Sequence, residues 1–150
     1  MNEEIDEVVI PGNGKYNLEI VGESHYVNNF KTIAGTIPEG GLKRKVEARL
    51  ILEDENPYDK NAVRVEVNGL KVGYLSREIA PIYRQQLIDG GHPRAVGIVQ
   101  AQIRAYRKGY GLWLDIPVQV VEPATEKNKP CVLFVLPIFV AIIALLILLH

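Results

Sequence analysis

The sequence predicts a mostly-β fold, a compact barrel or sandwich of about six short strands with two small helices, followed by one C-terminal transmembrane helix. Three observations carry this prediction. Several segments alternate apolar and polar residues, turn-forming residues separate them, and one long run near the C-terminus has no charge. All 35 charged side chains of the 150 residues precede position 130, and the net charge is −1. Setting the uncharged run aside leaves about 130 residues, enough for one modest core and too few for two.

Residues 1–14 read as a flexible acidic arm ending in Pro11-Gly12-Asn13-Gly14, turn chemistry with no core pattern. The barrel domain is expected over 15–122, with Lys15 to Val21 as its first strand. Tyr26 to Ala34 is compatible with a short helix stopped by Gly35. Val46, Ala48, Leu50 and Leu52 interleave with charged residues, the period of a strand with one buried face. Val63, Val65 and Val67 repeat it, Asn68-Gly69 supplies a two-residue hairpin turn, and Leu70 to Leu75 returns. Ser76 can cap a helix through Ile79, Tyr83 and Leu87 that stops at Gly90-Gly91, with Pro81 making its first turn irregular or setting a later start. A second hairpin runs from Val99 to Ala105 through Lys108-Gly109-Tyr110-Gly111 to Leu112 and Val118.

Pro123 to Pro130 reads as a short linker, and residues 131–150 as the membrane helix. Cys131 to Leu149 is 19 residues without a charge, which as a helix would span roughly 28 Å, close to the hydrocarbon thickness. A fully buried core helix is the alternative, but a domain this small offers no equally apolar partner surface. Pro137 implies a kink, which membrane helices accommodate. Lys127 and Lys129 precede the span and only His150 follows, so the positive-inside rule places the N-terminal domain in the cytoplasm of a tail-anchored, single-pass protein. Cys131 is either an acylation site or an unmodified buried thiol.

Catalytic constellations are mostly absent. There is no G-x-x-x-x-G-K-[ST], G-x-S-x-G or H-E-x-x-H, and no cofactor is expected. One cysteine and three scattered histidines exclude a disulfide framework and a four-ligand zinc site. Ser24 and His25, as strand neighbours, would point to opposite faces and could not act as nucleophile and base. Glu53-Asp54-Glu55 with Asp59 could hold a divalent cation, but a solvated loop edge is the commoner outcome.

Asn56-Pro57-Tyr58-Asp59-Lys60-Asn61-Ala62, a polar loop between two strands, stands out. An aromatic beside a carboxylate can stack a base or sugar and accept a hydrogen bond from a hydroxyl, while Lys60 could meet a phosphate. Asn61 completes this candidate set. Alternatively Tyr58 folds back as a lid and Asp59 caps the turn. Residues 15–122 hold 15 basic and 13 acidic side chains, so the domain has no large positive field. Local basic sites remain at Lys43-Arg44-Lys45 and at Arg104, Arg107 and Lys108, the latter interleaved with Tyr106 and Tyr110 in a manner suited to single strands. Edge-strand protection is an equal account of Lys43-Arg44-Lys45. Trp113 is out of phase with Leu112 and Leu114 and so faces away from them, to cover a helix or line a groove, with core packing the favoured outcome.

Val21-Gly22-Glu23-Ser24-His25-Tyr26, the 56–63 loop, and Asn68-Gly69-Leu70-Lys71-Val72-Gly73-Tyr74-Leu75-Ser76-Arg77-Glu78 resemble the HIRAN domain in order and spacing over about residues 16–121. The resemblance implies a small six-stranded OB-like, SH3-like barrel with two helices. In a eukaryotic member, a fork-remodelling DNA translocase, such a barrel captures the 3′-hydroxyl end of single-stranded DNA. By position, the ring that packs on the terminal nucleotide would be Tyr58 and the carboxylate that meets the free hydroxyl Asp59. That member has Arg-Tyr where this chain has Ser24-His25. The resulting expectation is a membrane-tethered, non-catalytic module that binds single-stranded DNA, with its 3′ end as a candidate target. Tyr58 and Asp59 would take the terminus, Lys60, Arg104, Arg107 and Lys108 the backbone, and His25 or Tyr26 would flank the site. The alternative is a membrane-anchored adaptor for a cytosolic protein partner.

Overall fold

The computed structural model describes residues 6–106 and 109–117. Seven strands and two short helices follow one another as β1 (Glu7–Val9), β2 (Leu18–Glu19), a 3₁₀ turn (Glu23–Tyr26), α1 (Val27–Ala34), β3 (Leu42–Leu52), β4 (Val63–Val67), β5 (Leu70–Tyr74), α2 (Ile79–Asp89), β6 (Val96–Tyr106) and β7 (Gly109–Leu114). The mostly-β expectation with two helices holds. The strand count is one higher than expected, because part of the N-terminal arm pairs.

Within that arm, Glu7–Val9 runs parallel to Val96–Ile98 as β1, and Ile10 and Val8 pack against the core. The turn after it is pinned by Asp115. This buried carboxylate accepts the backbone N–H of Asn13 at 2.9 Å and of Gly14 at 2.9 and 2.8 Å. A three-residue parallel strand has no periodicity to read, and an acceptor about a hundred positions away leaves no local trace. Those two facts hid the element.

The sheet order is β2-β7-β6-β3-β4-β5, all antiparallel, and the sheet curls into a half barrel. Its two edges meet at one bridge: Val21 donates to the Tyr74 carbonyl at 2.8 Å and Tyr74 donates back at 2.9 Å. The β4–β5 hairpin turns at Asn68 and Gly69, both with positive φ (52° and 75°). That is the left-handed pair a two-residue hairpin requires. Alternating residues of β3, β4 and β6 give Leu50, Val63, Val65, Ala101 and Ile103 to a core completed by Phe30 of α1 and Tyr83 of α2. In α2, Pro81 occupies the first turn, where the amide lost to the ring has no intrahelical acceptor in any case. Ser76 contributes mainly its carbonyl, which accepts from Ile79 and Ala80, while its Oγ lies 3.4 Å from the Ile79 nitrogen.

Two expectations are corrected on the surface. Ser24 and His25 belong to a 3₁₀ turn, not a strand, because Gly22 at φ 84° breaks the extended chain before them. Trp113 leaves the core to the leucines on either side and lies half-buried with the Arg104 guanidinium 4.2 Å from its ring centre. Its strand phase permits only that face. No helix among the described residues is long and apolar enough to cross a membrane. The expected linker and membrane helix, 123–150 with Cys131, lie outside the described residues.

Candidate nucleic-acid interface

The 53–62 loop joins β3 to β4, and its shape is set by side chains within it. Asn56 Oδ1 accepts the backbone N–H of Tyr58 at 2.9 Å and of Asp59 at 3.1 Å. Asp59 Oδ1 accepts the N–H of Asn61 at 2.8 Å, and the Asp59 carbonyl accepts that of Ala62 at 3.0 Å. These are the local Asx-type bonds that Asn and Asp form in turns. Two external clamps fix the loop's ends. At the first, Asn56 Nδ2 donates to Glu53 Oε2 at 2.8 Å. At the second, Arg84 of α2 donates to the carbonyls of Asn61 and Ala62, both at 2.9 Å, and to Asp54 at 2.6 Å.

So held, the loop drives Tyr58 outward: the ring is 88% exposed. It does not fold back as a lid. Tyr58 and Asp59 line a cavity of about 240 Å³ with Val21, Tyr74, Leu75 and Arg77. A more open groove is lined by residues 52–58 and Tyr74. Lys60 and Asn61 are exposed.

Behind the loop lies a network centred on Glu53. Its carboxylate accepts from Asn56, from the Tyr74 hydroxyl at 3.1 Å and from Arg64 at 3.1 Å, with the Lys71 ammonium 3.7 Å away. Burial pushes the Glu53 carboxyl up. The hydrogen bonds from Asn56 and Tyr74, the Lys71 charge and the Arg64 contact outweigh it and hold the group below the ordinary 4.5. A carboxylate with a depressed folded-state value stabilises the protein above its unfolded value, and that contribution disappears as pH falls through the folded one. Acid titration of thermal stability is therefore expected to show a loss beginning below about pH 4.5, and Glu53→Gln to flatten that part of the curve. An unchanged acid limb in the variant would show that Glu53 does not hold the loop.

The structure gathers some expected residues and separates others. Tyr26 joins the site through Lys71, whose ammonium is 5.4 Å from its ring centre, and His25 touches Tyr26 edge-to-face at 6.4 Å. Arg104 lies elsewhere. It pairs in register with Lys43, ten residues along β3 from the start of the loop, or about 33 Å of strand. Lys43-Arg44-Lys45 occupies the half of β3 that β4 does not pair, in keeping with edge protection. Arg107 and Lys108 lie outside the described residues. In the acidic run, Glu53 and Asp54 are engaged by Arg64 and Arg84, and among the described residues no three His, Cys, Asp or Glu side chains converge.

Sequence reasoning missed Tyr74, Lys71, Arg77 and Arg84 as site residues. Tyr74 and Arg77 stand within the V-G-Y-L-S-R segment, a visible signal. The clamp by Arg84 comes from a helix about 30 positions away and has no local signature.

A second, larger groove of about 940 Å³ lies on the other side of the 22–24 turn, lined by Glu19, Glu23, Lys31, Glu39, Tyr106 and Tyr110 among others. Tyr110 is stacked on Phe30 at 5.5 Å. Burial, reinforced by Glu19, pushes the Glu23 carboxyl up despite a backbone hydrogen bond.

Comparison with known proteins agrees with this geometry. The family model for the HIRAN domain matches residues 13–122. A curated relative, the helicase-like transcription factor of Oryctolagus cuniculus, is 31% identical over 136 residues, which cover 88% of this chain and 11% of the relative. The chain thus spans a small part of that protein's length, and no solved structure matches it. With most of its length under the family model, and the loop and V-G-Y-L-S segments at one cavity, the chain belongs to the HIRAN domain family.

Proposed function

We propose that this protein is a non-catalytic module that binds single-stranded DNA and receives its 3′ end in the cavity between Tyr58, Asp59 and Tyr74. The observation that carries the reading is the pairing of a ring 88% exposed with a carboxylate at the mouth of a small cavity. A base or sugar stacks on Tyr58, the terminal hydroxyl donates to Asp59, and Lys60 and Arg77 approach the backbone. Residues 131–149 hold the module in a membrane with the barrel on the cytoplasmic side, a placement supported by the uncharged run and the lysines before it.

A second reading is favoured by the larger groove. Its described walls carry Glu19, Glu23 and Lys31 beside Val27, Ile37 and Tyr110, a surface of mixed charge and apolar area that suits a protein partner. Fluorescence anisotropy of the full chain separates the two. Binding of an oligodeoxynucleotide that exceeds duplex binding and weakens with added salt supports the DNA reading. Protein partners that survive nuclease treatment, with no oligonucleotide binding, would support the adaptor.

A further inference from the structure

Lys71, on β5, sits between two tyrosines. Its ammonium is 5.4 Å from the ring centre of Tyr26 and 4.3 Å from that of Tyr74, and it donates to the Tyr74 hydroxyl. Glu53 is 3.7 Å away, but Arg64 reaches the same carboxylate oxygen at 3.1 Å, so that oxygen has a closer cation. The side chain keeps 28% of its surface exposed. A lysine held between two phenols, Tyr74 and Tyr26, retains its charge and has a third N–H to turn toward an incoming anion.

The other cations near the loop differ. Arg84 is committed to Asp54 and two carbonyls, and Arg64 to Glu53 and Glu66. Lys60 and Arg77 are exposed chains, and Arg77 has the Glu78 carboxylate as a charged neighbour. Lys71 is the cation that the fold has positioned, against a ring that lines both the Tyr58–Asp59 cavity and the more open groove.

We infer that Lys71 is an anion-binding residue of this site, and that its ammonium meets a phosphate near the end of the strand seated at Tyr58 and Asp59. The inference rests on the DNA reading above and adds a residue to it. The test crosses a protein charge with a ligand charge. Wild-type full chain and Lys71→Gln are titrated with a fluorescein-labelled oligothymidylate bearing a free 3′ hydroxyl, and with the same strand whose last linkages are uncharged methylphosphonates. Wild type is expected to lose roughly tenfold in affinity on the uncharged strand. Lys71→Gln is expected to show that loss on the native strand and little further change, with a salt slope shallower by about 0.7. Lys71→Arg keeps the sensitivity. Where Lys71→Gln does not fold, Lys71→Met preserves the stem between the rings and carries the same test. Equal sensitivity to the methylphosphonates with and without the ammonium would overturn the inference. If Tyr58→Ala then weakened binding, the DNA reading would still stand, whereas absence of wild-type binding to the native strand would remove both.

Discussion

Alanine at position 58 is expected to weaken single-strand binding by about 1–3 kcal/mol, a factor of roughly 5 to 150, without moving the thermal unfolding midpoint. The two halves of this result have separate causes. Tyr58 is 88% exposed and makes no side-chain hydrogen bond among the described residues, so the fold loses little when its ring is removed. The loop keeps its shape, because the bonds that form it run from backbone amides to Asn56 and Asp59 and from Arg84 to the carbonyls of Asn61 and Ala62. What is lost is the stacking surface. Anisotropy and a melting curve on the same preparation check both halves, and a variant that binds normally would remove Tyr58 from the site. Phenylalanine, which keeps the ring, should retain most of the affinity.

Gly73→Ala should instead act on the fold and carry the site with it. A Cβ at Gly73 would lie 2.5 Å from the Val21 carbonyl oxygen and 2.8 Å from Ile20 Cδ1. Side-chain ends can rotate away from such a clash, but the carbonyl cannot without breaking the Val21–Tyr74 bridge that joins the two edges of the sheet. Overpacking of this kind costs about 1–3 kcal/mol, or about 4–8 °C in melting temperature per kcal/mol for a domain near 100 residues. Val21 and Tyr74 also line the Tyr58 cavity, so affinity should fall together with stability. Calorimetry and anisotropy should therefore move in parallel for Gly73→Ala and independently for Tyr58→Ala. A Gly73→Ala protein as stable as wild type would mean that the bridge does not close the sheet.

The parts of this fold that were legible in the sequence are those whose causes are local. The Asn68-Gly69 hairpin is specified by two residues that tolerate positive φ. The long strands are specified by alternation, and α1 by its stop at Gly35, whose amide bonds the Lys31 carbonyl at 2.9 Å. The parts that were hidden depend on distant partners. Val8 and Ile10 become structural only because β6 passes beside them, and Asp115 gains its meaning from amides a hundred positions earlier. The site divides along the same line. Tyr58 and Asp59 were visible as an aromatic and an acid in a turn, and their exposure follows from Asx bonds that the composition suggests. The Glu53–Tyr74–Lys71 network behind them joins two strands and could not be read from either alone. Arg104 was grouped with the site on charge, and strand register places it at the far end of β3.

The most direct measurement is the affinity of the full chain for one oligonucleotide prepared with a 3′ hydroxyl and with a 3′ phosphate. A carboxylate waiting for a hydroxyl at the end of the strand predicts markedly weaker binding of the phosphate-terminated form, and Asp59→Asn should narrow the difference. Equal affinities for the two ends in the wild-type chain would contradict a receptor for the strand terminus built from Tyr58 and Asp59.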